Sequence, residues 1–128
     1  MKYFKKQILP EEKIAQNFYI LIKDERVEIK PEEIIYIQAD VNYTNFLTSS
    51  KKFTTSFHLG FYAEVLANHE DFLRISKSHL LNIRFLEKVL WHKDTKTAEL
   101  KNGMQLPISR RQAREIRGRL KDFLPVTY

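Results

Sequence analysis

The chain has 128 residues, with 22 Lys plus Arg against 16 Asp plus Glu, a net charge of +6. Its hydrophobic fraction of 43%, with 9 Phe and 6 Tyr, suits one packed domain and excludes a disordered chain. The absence of cysteine excludes disulfides, thiolate-bound zinc, iron–sulfur clusters and cysteine nucleophiles, and no apolar run approaches the roughly 20 residues that span a bilayer.

Residues 1–17 are mixed and polar, and read as a tail or a short flanking helix around Glu11 to Asn17. Phe18 to Ile22 is a short apolar, β-favouring run, and Arg26 to Lys30 alternates polar residues with Val27 and Ile29. Ile34 to Ile37 predicts a strand buried on both faces. Asp40-Val41-Asn42 is turn chemistry, and Tyr43 to Thr48 and Lys52 to Phe57 come next as outgoing and returning strands. Leu59, Tyr62, Ala63 and Leu66 recur at helical spacing, which predicts a helix over Leu59 to Asn68. Phe72 to Ile75 is again strand-like. Leu86 to His92 and Thr95 to Lys101 read as paired strands joined at Lys93-Asp94. Asn102-Gly103 predicts a type I′ hairpin leading into a strand over Met104 to Ile108. Ser109 and Gln112 form a Ser-x-x-Gln capping box, so a helix is expected from there to Pro125, with Ala113, Ile116, Leu120, Phe123 and Leu124 as its apolar stripe. The sum is a mainly β domain with one internal and one C-terminal helix.

The charge is unevenly placed. Residues 31–70 hold 2 basic and 5 acidic residues, whereas residues 71–128 hold 13 basic and 6 acidic. A basic C-terminal half suits a polyanion, and ordinary solvated lysines give the same balance.

Three patches carry candidate chemistry. Arg110, Arg114, Arg117 and Lys121 share one face of the last helix, and Arg110 and Arg111 fall in its first turn. Positive charge at a helix start is electrostatically unfavourable, but a docked anion would gain from both guanidinium groups. Side chains that simply bend into water are the plainer account of this patch taken by itself. The second patch is Arg74-Ile75-Ser76-Lys77-Ser78-His79, where small hydroxyls suit phosphate oxygens and Lys77 suits a guanine edge. A solvated turn, with His79 partly buried, is the plainer account. The third is Asn42-Tyr43-Thr44-Asn45, neutral hydrogen-bonding side chains at a turn. Here Asn42 as a left-handed turn residue and Tyr43 as core are the structural readings. The four histidines form no metal-binding pair, and neither a Gly-x-Ser-x-Gly motif nor a phosphate-cradling glycine loop occurs. No catalytic residue, metal ligand or cofactor is therefore assigned, and an enzyme is the least expected class.

Three segments in order resemble the LytTR family of bacterial transcription-regulator DNA-binding domains. They are Ile34 to Thr44, Phe72 to Asn82 and Leu100 to Arg111. The resemblance implies an elongated stack of small antiparallel sheets, about ten short strands, with loops rather than a recognition helix facing DNA. It divides the chain into an N-terminal tail or linker (1–23), the domain (24–124) and a C-terminal tail (125–128). Carried onto this chain, it makes Thr44, Lys77 and Arg111 the base contacts. Asn42, Asn45, Ser76, Ser78, Ser109 and Arg110 become the phosphate contacts. Gln38 stands where the family often has an acidic residue, and Ser76-Lys77 where it often has His or Arg.

The implied function is sequence-specific binding of double-stranded DNA in the major groove, regulating transcription in a bacterial cytoplasm. The implied partners are a homodimer on repeated half-sites and a kinase or receiver of a two-component system, without membrane insertion. Two other classes remain. One is an adaptor that docks a membrane or receiver partner through residues 1–17 and binds DNA weakly. The other is single-stranded RNA binding by stacking on Tyr43, Phe46 and Phe53.

Overall fold

The computed structural model describes residues 18–22 and 25–123. Ten strands form three antiparallel sheets. β1 (Phe18–Ile22) and β2 (Glu25–Ile29) form a two-stranded sheet. The central sheet has the order β5-β4-β3-β7-β6, from β3 (Ile34–Asp40), β4 (Tyr43–Thr48), β5 (Lys52–Thr55), β6 (Phe72–Ser76) and β7 (His79–Asn82). The third sheet has the order β10-β9-β8, from β8 (Leu86–His92), β9 (Thr95–Leu100) and β10 (Gln105–Ile108). Helix α1 spans Leu59–Val65 and α2 spans Arg110–Glu115. The expected tail helix at Glu11 to Asn17 lies outside the described residues.

The central sheet is covered on both faces, which explains the unbroken apolar run of β3. Ile34 and Ile37 join Ile20, Ile29, Phe46, Leu59, Tyr62 and Leu80 in one core. Ile35 and Tyr36 join Leu81, Val89, Leu100, Leu106, Ala113 and Leu120 in the other. A register shift between Ile34 and Tyr36 lets two successive residues face the same side. β1 belongs to this unit although it falls within the segment assigned to the tail. Ile20 has no solvent exposure and packs in the first of these cores.

Asn82 ties the central sheet to the 3-10 turn Ile83–Phe85 that leads into β8. It is fully buried, donates from Nδ2 to the Ile34 carbonyl at 2.9 Å and accepts the Arg84 N–H at 3.0 Å. A buried amide satisfied on both sides fixes register as well as stability.

Two local expectations are corrected. Asn102-Gly103 is not a type I′ turn, because only Gly103 takes positive φ, at 90°. Gly103 N–H bonds the Leu100 carbonyl, and Leu100 N–H bonds Met104, which makes a three-residue loop closed by a left-handed glycine. Asn102 instead uses its side chain, accepting the Met104 N–H at 3.0 Å. The C-terminal helix ends at Glu115 rather than reaching Pro125. Arg110–Arg114 and Arg117–Lys121 repel at i,i+4, and Gly118 weakens the helix further. The remainder is turns and a 3-10 segment, Lys121–Phe123, yet Ile116 and Leu120 stay buried because the turns keep a similar spacing.

Candidate nucleic-acid interface

Two backbone hydrogen bonds gather three loops. Ala39 N–H donates to the Ser78 carbonyl at 2.9 Å, setting the β3–β4 hairpin beside the β6–β7 turn. Ser109 N–H donates to the Ile75 carbonyl at 2.9 Å, setting the start of α2 beside the end of β6. Lys77 sits in the middle segment, within two residues of both Ile75 and Ser78.

The middle turn is braced from below. Arg74 donates from Nε to the Ser76 carbonyl at 2.9 Å and from a terminal nitrogen to the Lys77 carbonyl at 2.7 Å. Its charge is therefore engaged by the turn. Beneath lies His79, 8% exposed, with Ser76 Oγ 2.9 Å from Nδ1 and Gln38 Nε2 3.2 Å from Nε2. With Gln38 donating to Nε2, the neutral ring carries its proton on Nδ1 and donates to Ser76 Oγ. Burial lowers the His79 pKa below 6.5, which favours this neutral form. Lys77 is exposed and has no ion pair or hydrogen bond from its side chain among the described residues.

At α2, Ser109 caps the helix by accepting the Gln112 N–H at 3.2 Å. Only this half of the capping box forms, because the Ser109 N–H is already used by Ile75. Arg110 and Arg111 are exposed and pair with Asp94 at 3.6 Å and Glu115 at 3.5 Å. Exposed pairs of this kind contribute about 0–1 kcal/mol, so both guanidinium groups are free to exchange partners. Alongside, Lys96 Nζ lies 4.3 Å from the centre of the Trp91 ring. Trp91, Lys96, Arg114 and Arg117 line a small cavity of about 90 Å³ floored by Ala113 and Leu120.

The first loop differs most from the sequence reading. Thr44 is 1% exposed and its hydroxyl donates to the Phe57 carbonyl at 2.5 Å. Asn45 is 5% exposed and accepts from the Thr54 hydroxyl at 2.8 Å. Neither side chain is presented to a ligand, so Thr44 as a base contact and Asn45 as a phosphate contact are withdrawn. Ser76 is withdrawn too, since its hydroxyl is buried on His79. Val41, Asn42 and Tyr43 occupy the exposed tip instead. The left-handed residue is Val41, φ 54°, rather than Asn42. Phe46 is fully buried and meets Tyr62 edge-on at 4.6 Å, and Phe53 packs on the same core. The stacking platform expected for RNA is therefore taken up by core packing, with Tyr43 its one exposed ring.

The family model of the LytTr DNA-binding domain matches residues 24–121. The chain belongs to the LytTR family of DNA-binding domains. It is similar to the sensory transduction protein LytT of Bacillus subtilis (strain 168), 26% identical over 92 residues. That match covers 71% of this chain and 38% of the relative, so the chain spans well under half of that protein. A solved LytTr DNA-binding domain from Bacillus cereus, of a methyl-accepting/DNA response regulator, matches with TM-score 0.68. The identity is 18%, over 80% of this chain and 94% of that chain, a likeness of fold. Helix α2, with six residues, is too short to lie along a groove as a recognition helix. Among the described residues no helix is long and apolar enough to cross a membrane, and no group of three or more His, Asp or Glu could hold a metal ion.

Proposed function

We propose that the domain reads double-stranded DNA through the three-loop cluster and regulates transcription in a bacterial cytoplasm. Lys77 and Arg111 read base edges in the major groove, where both side chains suit guanine O6 and N7. Asn42, Ser78, Ser109 and Arg110 contact phosphates beside them, and Lys96, Arg114 and Arg117 extend the cationic strip. The observation that carries this reading is the pair of backbone bonds, Ala39 to Ser78 and Ser109 to Ile75, which hold three short loops together around an unpaired lysine.

Two copies would occupy half-sites about one helical turn apart, the spacing at which copies meet the same groove face. Regulation by a phosphorylated receiver and its kinase is part of this proposal, supported by the sensory transduction relative. Selection of bound duplexes from a random pool tests binding, preference and repeat spacing together. An enriched motif in two spaced copies is expected. A pool that stays random, with affinity set by salt alone, overturns sequence reading.

A further inference from the structure

The tip of the β3–β4 hairpin is built against its own turn chemistry. Asp40 pairs with Tyr43, which leaves Val41-Asn42 as a two-residue loop. Val41 takes φ 54°, a left-handed conformation in which a β-branched residue is a rare outlier. It is also 93% exposed, so no packing compensates the strain. The β8–β9 hairpin has the same design, with a two-residue loop Lys93-Asp94 and φ 55° at Lys93. The fold thus asks for positive φ at this loop position. At the β8–β9 turn a polar residue supplies it; at the β3–β4 turn a branched aliphatic one does, where Gly or Asn would cost less. Tyr43, 55% exposed, extends the apolar tip, and the Ala39–Ser78 bond joins the strand that leads into this tip to the turn that carries Lys77.

The geometry points to Val41 as a specificity residue that packs on the 5-methyl group of thymine. The assignment rests on the reading of this cluster as a DNA-binding face, and its basis is the chemistry of a major groove. Base edges there present donors, acceptors and a single apolar group, the thymine methyl. An exposed valine on a strained tip has no polar atom to offer, so the methyl is the one base feature it can complement. The strain is the cost of keeping an apolar residue at a position that favours Gly or Asn.

The test uses the full chain and the duplex recovered by selection, with each thymine replaced in turn by uracil, which lacks only the methyl. One position should weaken wild-type binding about fourfold, the size expected for one methyl group removed from water. Val41→Gly and Val41→Asn should melt a few degrees higher than wild type, and both should bind thymine and uracil duplexes equally. Retention of the full thymine preference by either variant overturns the assignment. So does a melting midpoint that fails to rise in both, because the strain premise is then wrong. Equal wild-type binding to every uracil duplex removes the methyl contact while leaving DNA reading intact. Failure to bind any duplex removes both. If the variants lose self-association with no change in the thymine-to-uracil ratio, the tip docks a second copy and the assignment falls.

Discussion

Ser109 N–H donates to the Ile75 carbonyl at 2.9 Å, joining the first residue before α2 to the strand that leads into Lys77. This bond uses the donor that a full capping box would have given to Gln112. The cap and the anchor therefore act through different atoms of one residue. Ser109→Ala removes the cap to Gln112 and should cost roughly 0.5–2 kcal/mol in urea unfolding. Ser109→Gly should cost only a few tenths. Since both variants keep the backbone bond and lose the hydroxyl, a phosphate contact by Ser109 predicts equal weakening of matched and scrambled duplexes in both. A loss confined to Ser109→Ala would trace the effect to stability.

Base and backbone contacts separate by their dependence on sequence. Arg111→Ala and Lys77→Ala should each cost roughly 1–3 kcal/mol on the selected duplex and relax preference at one position. Arg117→Ala should weaken all duplexes alike and reduce the slope of log K against log salt by about 1. Isotherms on matched and scrambled duplexes at several salt concentrations discriminate the two patterns. Equal losses on both duplexes for Arg111→Ala would make it a backbone contact.

The order of strands is legible in the sequence because the apolar runs are short, β-branched and punctuated by Pro, Asn and Gly. Ile34 to Ile37 even announces a strand covered on both faces, as the two cores bear out. The pattern conceals direction at single positions. Thr44 and Asn45 read as free polar groups, yet cross-strand neighbours in a twisted sheet bury both and satisfy them locally with Phe57 and Thr54. A polar residue in a strand with both faces covered is a signal for such satisfaction. Val41 falls in a turn by its neighbours, but the sequence favours Asn42 for the left-handed position, and only the dihedral angle assigns it to Val41. The apolar stripe overextends the last helix because it persists through turns that are not α-helical. Repulsion among Arg114, Arg117 and Lys121, with Gly118 between them, is the sequence signal for its early end.

Stability should depend on pH through His79. Its folded pKa is lowered below 6.5 by burial, while the unfolded chain regains the ordinary value. As the pH falls below 6.5 the unfolded state takes up a proton that the folded state still refuses. The unfolded state then binds more protons, so stability falls with falling pH until the folded ring also titrates. Protonation would also set a donor at Nε2 against the Gln38 amide nitrogen 3.2 Å away, loosening the brace under Lys77. Denaturant unfolding of wild type and His79→Gln between pH 7.5 and 5 checks this. The advantage of wild type should shrink below pH 6.5, and a constant difference would exclude charging of His79 as the cause.

Two carboxylates pair with the arginines of the third loop. Glu115 pairs with Arg111 at 3.5 Å and Asp94 with Arg110 at 3.6 Å, with all four side chains at least half exposed. At such exposure the attraction is screened, and breaking either pair should change stability by no more than about 1 kcal/mol. Binding should respond in the opposite sense to a loss of structure. A phosphate or guanine competing for these arginines must first displace a carboxylate and then sit beside its charge. Glu115→Gln and Asp94→Asn remove that competition without changing shape. Each should tighten binding, by a factor that is largest at low salt and fades as the Debye length contracts from about 30 Å at 0.01 M to about 8 Å at 0.15 M. Arg111→Ala should abolish the gain from Glu115→Gln in a double-mutant cycle, because the carboxylate then has no guanidinium to withhold. An additive result would mean that Glu115 acts only through its long-range repulsion of the duplex.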